Sequence, residues 1–262
     1  MRRLLLVLFA GTLGACAHQS QGAGSVSPTA TTPVGKKIDY DALVAAPERT
    51  PADRALDGGR KPAAFLAFTG VQPGWHVSDL AAGGGYTTEL LARAVGRTGM
   101  VYAQAAPSML ARLGRKSFDE RLLRASDANV RPLERELDDP FPPDTGPLDL
   151  VVMNMSYHDT VWLKVDRDAM NKAVLAVLRS GGSYVIADSS AKAGTGGDDT
   201  ETLHRIDEAL VKADVLRAGF KLAASSDILR NPADPRDWNT SPKAAGERRG
   251  SGDRFLLRFI KP

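Results

Sequence analysis

From residue 75 onward, short apolar runs alternate along the chain with stretches in which apolar residues recur at helical spacing. The runs at 75–80, 100–104, around 130–134, 148–154, 182–188, 221–226 and 254–260 have the length of strands, and 148–154 is the most apolar of them. Helical spacing covers 87–95, the neighbourhood of 107–113, then 166–179 and 200–218. Strands separated by helices pair in parallel through right-handed crossovers, with helices over both faces of the sheet. The last two runs break this rhythm, because only the polar stretch 231–252 lies between them, and such strands pair antiparallel at one edge. The pattern therefore predicts a doubly wound, mostly parallel, seven-stranded α/β sheet with an antiparallel C-terminal edge pair. The 231–252 connection exceeds the ~12 to 15 residues of ordinary loops, which marks it as functional or mobile. Ahead of the sheet, Ala55, Leu56, Ala63, Phe65, Leu66 and Phe68 predict two short helices interrupted at Gly58-Gly59.

The first residues follow a different logic. Arg2 and Arg3 precede the apolar stretch 4–13, which falls short of the roughly 20 residues that span a bilayer and so reads as an export signal. Leu13-Gly14-Ala15-Cys16 resembles a bacterial lipobox. That resemblance implies cleavage before Cys16, acylation of its sulfur and new amino terminus, and, with Ala17 next, sorting to the outer membrane. Several acyl chains hold a protein where one would not. Residues 16–37 are rich in Ser, Thr, Gly, Gln and Pro and cannot offset their ordering entropy, so they form a tether. The expected organisation is a lipoprotein signal peptide at 1–15, a tether at 16–37 and one domain at 38–262.

Composition narrows the chemistry. Cys16 is the only cysteine, so once acylated it leaves no thiol for a disulfide, a metal site or a nucleophile. The formal charge of +3 includes Arg2 and Arg3, and removing them leaves +1, which is no nucleic-acid footprint. The apolar share of 43% and the charged share of 25% are those of a globular domain with a substantial core.

The chemistry-bearing segment is Asp79-Leu-Ala81-Ala-Gly83-Gly84-Gly85-Tyr86 at the end of the first strand. Ligands of open parallel sheets bind beyond the carboxyl ends of the strands, where backbone must approach closely. Glycines permit that approach and bare their amides at the start of the next helix. A dinucleotide fingerprint beginning at Gly83 needs glycine at 88, where Thr88 stands, which argues against NAD.

The pattern acid-x-Gly-x-Gly-x-Gly is met at Asp79, Gly83 and Gly85, with Ala81 at the first glycine. With the following Tyr86-Thr-Thr-Glu-Leu-Leu91, it resembles motif I of class I S-adenosylmethionine-dependent methyltransferases. The strings Thr200-Glu-Thr-Leu-His204-Arg205-Ile-Asp207-Glu208 and Arg230-Asn-Pro-Ala-Asp234-Pro-Arg236 resemble an often exported bacterial group of that class. The resemblance spans roughly 51–262. It implies S-adenosylmethionine as cofactor, Asp79 orienting the loop and meeting the methionine amino group, and Gly83, Gly84 and Gly85 approaching the methionine carboxylate and sugar. Families of this class usually hold the ribose with an acid at the end of the second strand. Gln104 stands there and is expected to face the ribose. Asp138, with Asp139, falls where the class often meets adenine, or else forms a solvated turn before Pro140.

Methyl transfer is an in-line displacement that positioning and water exclusion can drive, and an acceptor that must lose a proton needs a base at the carboxyl end of the fourth or fifth strand. His158 follows the fourth strand, while His204 and Arg205 fall in the first turns of the expected 200–218 helix, capped by Asp198 or Asp199. These three are the catalytic candidates, with Asp188 placed to orient His204 or Arg205. His18 lies in the tether and His76 at the strand end away from the ligand. Tyr157 and Trp162 read as core more readily than as pocket walls. Arg230, Arg236, Arg248, Arg249 and Arg254 around the long loop are either a solvated basic surface or receivers of an anionic acceptor. The expected function is methyl transfer to a small-molecule acceptor by a protein attached to the membrane through Cys16. A ligand-binding lipoprotein on the same scaffold is the alternative, and an NAD-dependent oxidoreductase a distant third.

Overall fold

The computed structural model describes residues 38–113, 115–124 and 129–262. The signal and tether assignments, including Cys16 and His18, lie outside them. No helix among the described residues is long and apolar enough to cross a membrane.

Seven strands form one sheet in the order β3-β2-β1-β4-β5-β7-β6: β1 (His76–Asp79), β2 (Met100–Gln104), β3 (Val130–Leu133), β4 (Leu148–Asn154), β5 (Leu178–Ser189), β6 (Lys221–Ser226) and β7 (Arg254–Ile260). The first five run parallel, as in the pairings Val77↔Val101 and Val152↔Val185. β7 inserts antiparallel between β5 and β6, pairing Asp188↔Phe255 on one side and Ser226↔Leu256 on the other. The expected sheet, edge pair included, is the observed one. Central strands are buried on both faces, as β4 is at Leu148 and Leu150–Met153, which is why they read as unbroken apolar runs.

Helices cover both faces: α1 (Tyr40–Val44), α2 (Pro51–Arg60), α3 (Pro62–Thr69), α4 (Tyr86–Val95), α5 (Pro107–Leu113), α6 (Arg115–Leu122), α7 (Asp159–Trp162), α8 (Arg167–Val177) and α9 (Glu208–Arg217). Side-chain caps start several of them: Thr50 for α2, Asp166 for α8 and Asp207 for α9.

Two expectations need correction. Gly58-Gly59 does not interrupt a helix; both lie inside α2, and the break falls at Lys61, left-handed at φ 45°, before Pro62. Gly59 is required there because a Cβ would come within 2.5 Å of the Gly250 backbone. The helix expected over 200–218 begins only at 208, with Asp207 rather than Asp198 or Asp199 as its cap. Residues 198–204 are turns, and Ile206 instead bridges to Ser190 beside β5. The long connection at 231–252 is stitched down. Asn231 and Asp253 are joined at its base, and Trp238 Nε1 donates to Asp234 Oδ1 at 2.7 Å.

Candidate functional site

A cavity of about 800 Å3 opens at the carboxyl ends of β1, β4 and β5, within the ~300–1,000 Å3 typical of ligand pockets. Ala81, Gly83 and Gly84 line one part of it; His158, Asp159, Trp162, His204, Thr240 and Ser241 line another.

The glycine loop is bare above and braced below. Gly83 is left-handed at φ 55°, and a Cβ on Gly83 or Gly84 would meet nothing within 4 Å, so both backbones face open cavity. Gly85 serves packing instead. It caps α4 at φ 75°, and a Cβ there would come 2.5 Å from Arg121 Cδ. Arg121 Nε donates to the Gly84 carbonyl at 2.6 Å while its guanidinium pairs with Asp53 of α2 and Glu89 of α4. Beneath the loop, Thr88 Oγ1 donates to Asp79 Oδ2 at 2.7 Å, and burial pushes the Asp79 carboxyl up to about 7 against that bond. Asp79 therefore orients the loop from below and does not itself line the cavity.

Two expected contacts are not formed. Gln104 is 0% exposed, and its side chain is spent on structure: Oε1 accepts from the Ala81 N–H at 2.8 Å and Nε2 donates to the Arg135 carbonyl at 2.5 Å. It ends β2 as expected but ties the loop to the segment after β3 rather than facing a sugar. Asp138 is exposed and outside the cavity wall, which makes it the solvated turn. Ala81, where motif I has glycine, adopts φ 58°. Met155 (φ 63°) and His204 (φ 50°) also line the cavity in left-handed conformations that cost side-chain-bearing residues energy.

At the other part of the cavity the two histidines meet. His158 caps α7 and is 5% exposed; its backbone N–H and Nδ1 both reach the buried Asp188 carboxylate at 2.8 Å. Its Nε2 lies 3.2 Å from His204 Nδ1 and 3.3 Å from Asp159 Oδ1, which also accepts from Trp162 Nε1 at 2.9 Å. Burial opposes charge on His158, but Asp188 and Asp159 outweigh it and raise the imidazole to about 10. His204 moves the other way, lowered by burial and by the His158 charge. Of the pair, His158 is therefore the ring that takes the positive charge. Ligand atoms of His158, Asp159 and His204 lie within 4.8 Å of one another, a spacing that suits a metal ion as well as a shared proton.

Arg205 is corrected as a catalytic candidate. It is 0% exposed and outside the cavity wall, held by Asp234 at 2.8 Å and by the carbonyls of Ser190 and Trp238. Its function is to pin the 231–252 loop, whose Thr240, Ser241, Arg249 and Gly250 then wall the cavity. Asp234, Asp253, Asp159 and Arg60 were not singled out as site residues. The buried acids carried a usable signal, since Asp234 sits in the Arg230–Arg236 string and Asp253 immediately precedes the last strand. Tyr157 is core, whereas Trp162 is a cavity wall. His76 is exposed at the opposite end of β1, and Arg230 and Arg236 are both paired with Asp253.

No family model and no curated protein matches the chain. Solved structures do. An S-adenosylmethionine-dependent methyltransferase from Aquifex aeolicus is 17% identical, with TM-score 0.57 over 86% of this chain and 100% of its own. A glycopeptide N-methyltransferase complexed with S-adenosylhomocysteine is 16% identical, with TM-score 0.53 over 83% and 100%. An Aeropyrum pernix fibrillarin with natively bound S-adenosylmethionine is 14% identical, with TM-score 0.50 over 78% and 76%. At these identities the likeness is one of architecture: the chain has the fold of the class I S-adenosylmethionine-dependent methyltransferases.

Proposed function

We propose that this chain is an S-adenosylmethionine-dependent methyltransferase acting on a small-molecule acceptor. The observation that carries the reading is the pairing, in one cavity, of bare glycine backbone at Gly83 and Gly84 with the His158–His204 pair across from it. The neighbours with bound S-adenosylmethionine or its product support the cofactor. In this reading Gly83 and Gly84 receive the cofactor, with Ala81 and Gly85 shaping the turn and Asp79 holding it from beneath. The acceptor lies between the cofactor methyl and His158–His204. The cofactor supplies an electrophilic methyl group when bound. The residues orient the acceptor and exclude water, with charged His158 stabilising negative charge on it and neutral His204 alongside. Export through 1–15 and attachment at acylated Cys16, facing the periplasm from the outer membrane, belong to the same proposal, as does the absence of a nucleic-acid partner.

Calorimetry of S-adenosylhomocysteine with the purified full chain tests the reading. Saturable binding that Gly83→Val abolishes is the expected result. Absence of heat at millimolar ligand, with the chain folded by circular dichroism, rejects it in favour of a ligand-binding lipoprotein. One observation favours that second reading: with Gln104 turned inward, the end of β2 offers no acidic side chain to a ribose.

A further inference from the structure

Three arginines of the cavity wall take no part in holding the histidines. Arg60 ends α2, Arg249 follows the short 3-10 turn Gly246–Arg248, and Arg254 opens β7. Arg254 is 8% exposed; one amino group donates to the Gly59 carbonyl at 2.5 Å, while its Nε is buried with no partner among the described residues. Arg60 lies over the Tyr86 ring at 4.3 Å. Neither they nor Arg249 forms an ion pair among the described residues.

Elsewhere this protein pairs its buried guanidiniums. Arg49 is bound to Asp57, Arg121 to Asp53 and Glu89, and Arg205 to Asp234. Of the arginines that are buried, Arg254 is the exception, and it shares the cavity wall with half-buried Arg60 and exposed Arg249. Burial and the neighbouring charges of Arg60 and Arg205 pull Arg254 down to about 10, and burial and Arg249 lower Arg60. Asp159 is the one carboxylate in the described wall, and it is already engaged by His158 and Trp162. A buried guanidinium with an unfilled donor beside like charges, as Arg254 is, is unfavourable unless an anion completes it, and a guanidinium fork matches carboxylate and phosphate oxygens in pairs. Arg254 pairs with Ser189 at the carboxyl end of β5, where β5 also supplies Asp188 to His158, whereas Arg60 lies over Tyr86 beside the glycine loop, so the cluster spans the wall between the two parts of the cavity.

We propose that Arg60, Arg249 and Arg254 form the receptor for an anionic group, a carboxylate or phosphate, carried by the methyl acceptor. The word acceptor rests on the methyltransferase reading; the anion receptor does not. The methionine carboxylate of the cofactor is the other source of the same chemistry, and the test separates them. Inorganic phosphate is titrated calorimetrically into the purified full chain with and without saturating S-adenosylhomocysteine. Phosphate is expected to bind in both conditions, about tenfold more weakly in Arg254→Gln, with Arg254→Lys retaining part of the affinity and S-adenosylhomocysteine binding unchanged. Circular dichroism controls for folding, and Arg249→Gln, at an exposed position, is expected to weaken phosphate about threefold with no folding risk. No saturable phosphate binding, or binding unaltered in both Gln variants, overturns the receptor. Competition between phosphate and S-adenosylhomocysteine, with Arg254→Gln weakening the latter, overturns the acceptor assignment in favour of the cofactor carboxylate. Phosphate binding without any S-adenosylhomocysteine binding leaves the receptor standing and removes the methyltransferase reading alone.

Discussion

The two parts of the cavity are held in place by different kinds of structure. The glycine loop is continuous in sequence, 79–88, and is braced by Asp79, Gln104 and Arg121 from directly beneath. The histidine part is assembled from the ends of β4 and β5, a turn at 198–207 and the loop at 231–252, and the buried Arg205–Asp234 pair joins the last two. Damage to the first should be local and felt in binding, whereas damage to the second should be global and felt in stability.

Breaking the long-range end should have the largest effect. Arg205→Ala leaves Asp234 buried and uncompensated, which costs about 3–5 kcal/mol. Urea unfolding should register this, and Asp234→Ala should add little to it, since both remove one pair. Equal and additive losses would show that the pair does not hold the loop. At the glycine end, Gly83→Val should abolish S-adenosylhomocysteine binding yet cost only about 1–3 kcal/mol of stability for a branched residue at φ 55°.

Gln104 sharpens the comparison, because its correction reverses the direction of an expected effect. An amide facing the ribose would be improved by Gln104→Glu. An amide buried between the Ala81 N–H and the Arg135 carbonyl loses a donor on that change, so the variant should be destabilised by about 1–3 kcal/mol, with weaker ligand binding.

The two ends also titrate apart. Asp79, raised from 3.8 to about 7, contributes stability that is fully present below pH 3.8 and lost as pH rises through 7. His158, raised from 6.5 to about 10, contributes stability lost between those values. Stability measured against pH should fall in both windows, Asp79→Asn flattening the lower and His158→Gln the upper. The smallest effect is a gain: Ala81→Gly relieves a left-handed alanine and should stabilise by about 1 kcal/mol in thermal unfolding.

Chain pattern alone determined the seven-stranded sheet and its antiparallel edge, because unbroken apolar runs and helical periodicity are imprinted wherever a sheet must be buried beneath helices on both faces. The loop of Gly83 to Gly85 was equally legible, since bare backbone has to be written as glycine. His158 and His204 could be placed near each other by strand order, and both line the cavity. Tertiary structure alone decided the use of side chains whose type permits two destinies. Gln104 and Arg205 are polar, stand at the ends of strands or beside them, and looked ligand-facing, yet both are buried and spent on backbone carbonyls or a distant carboxylate. Arg254, whose type and position were compatible with a solvated surface, is instead buried in the cavity wall with an unfilled donor. Periodicity records which face of an element is buried; it carries no record of which partner, dozens of residues away, a buried polar atom will meet, and that choice is made only when the loops close over the sheet.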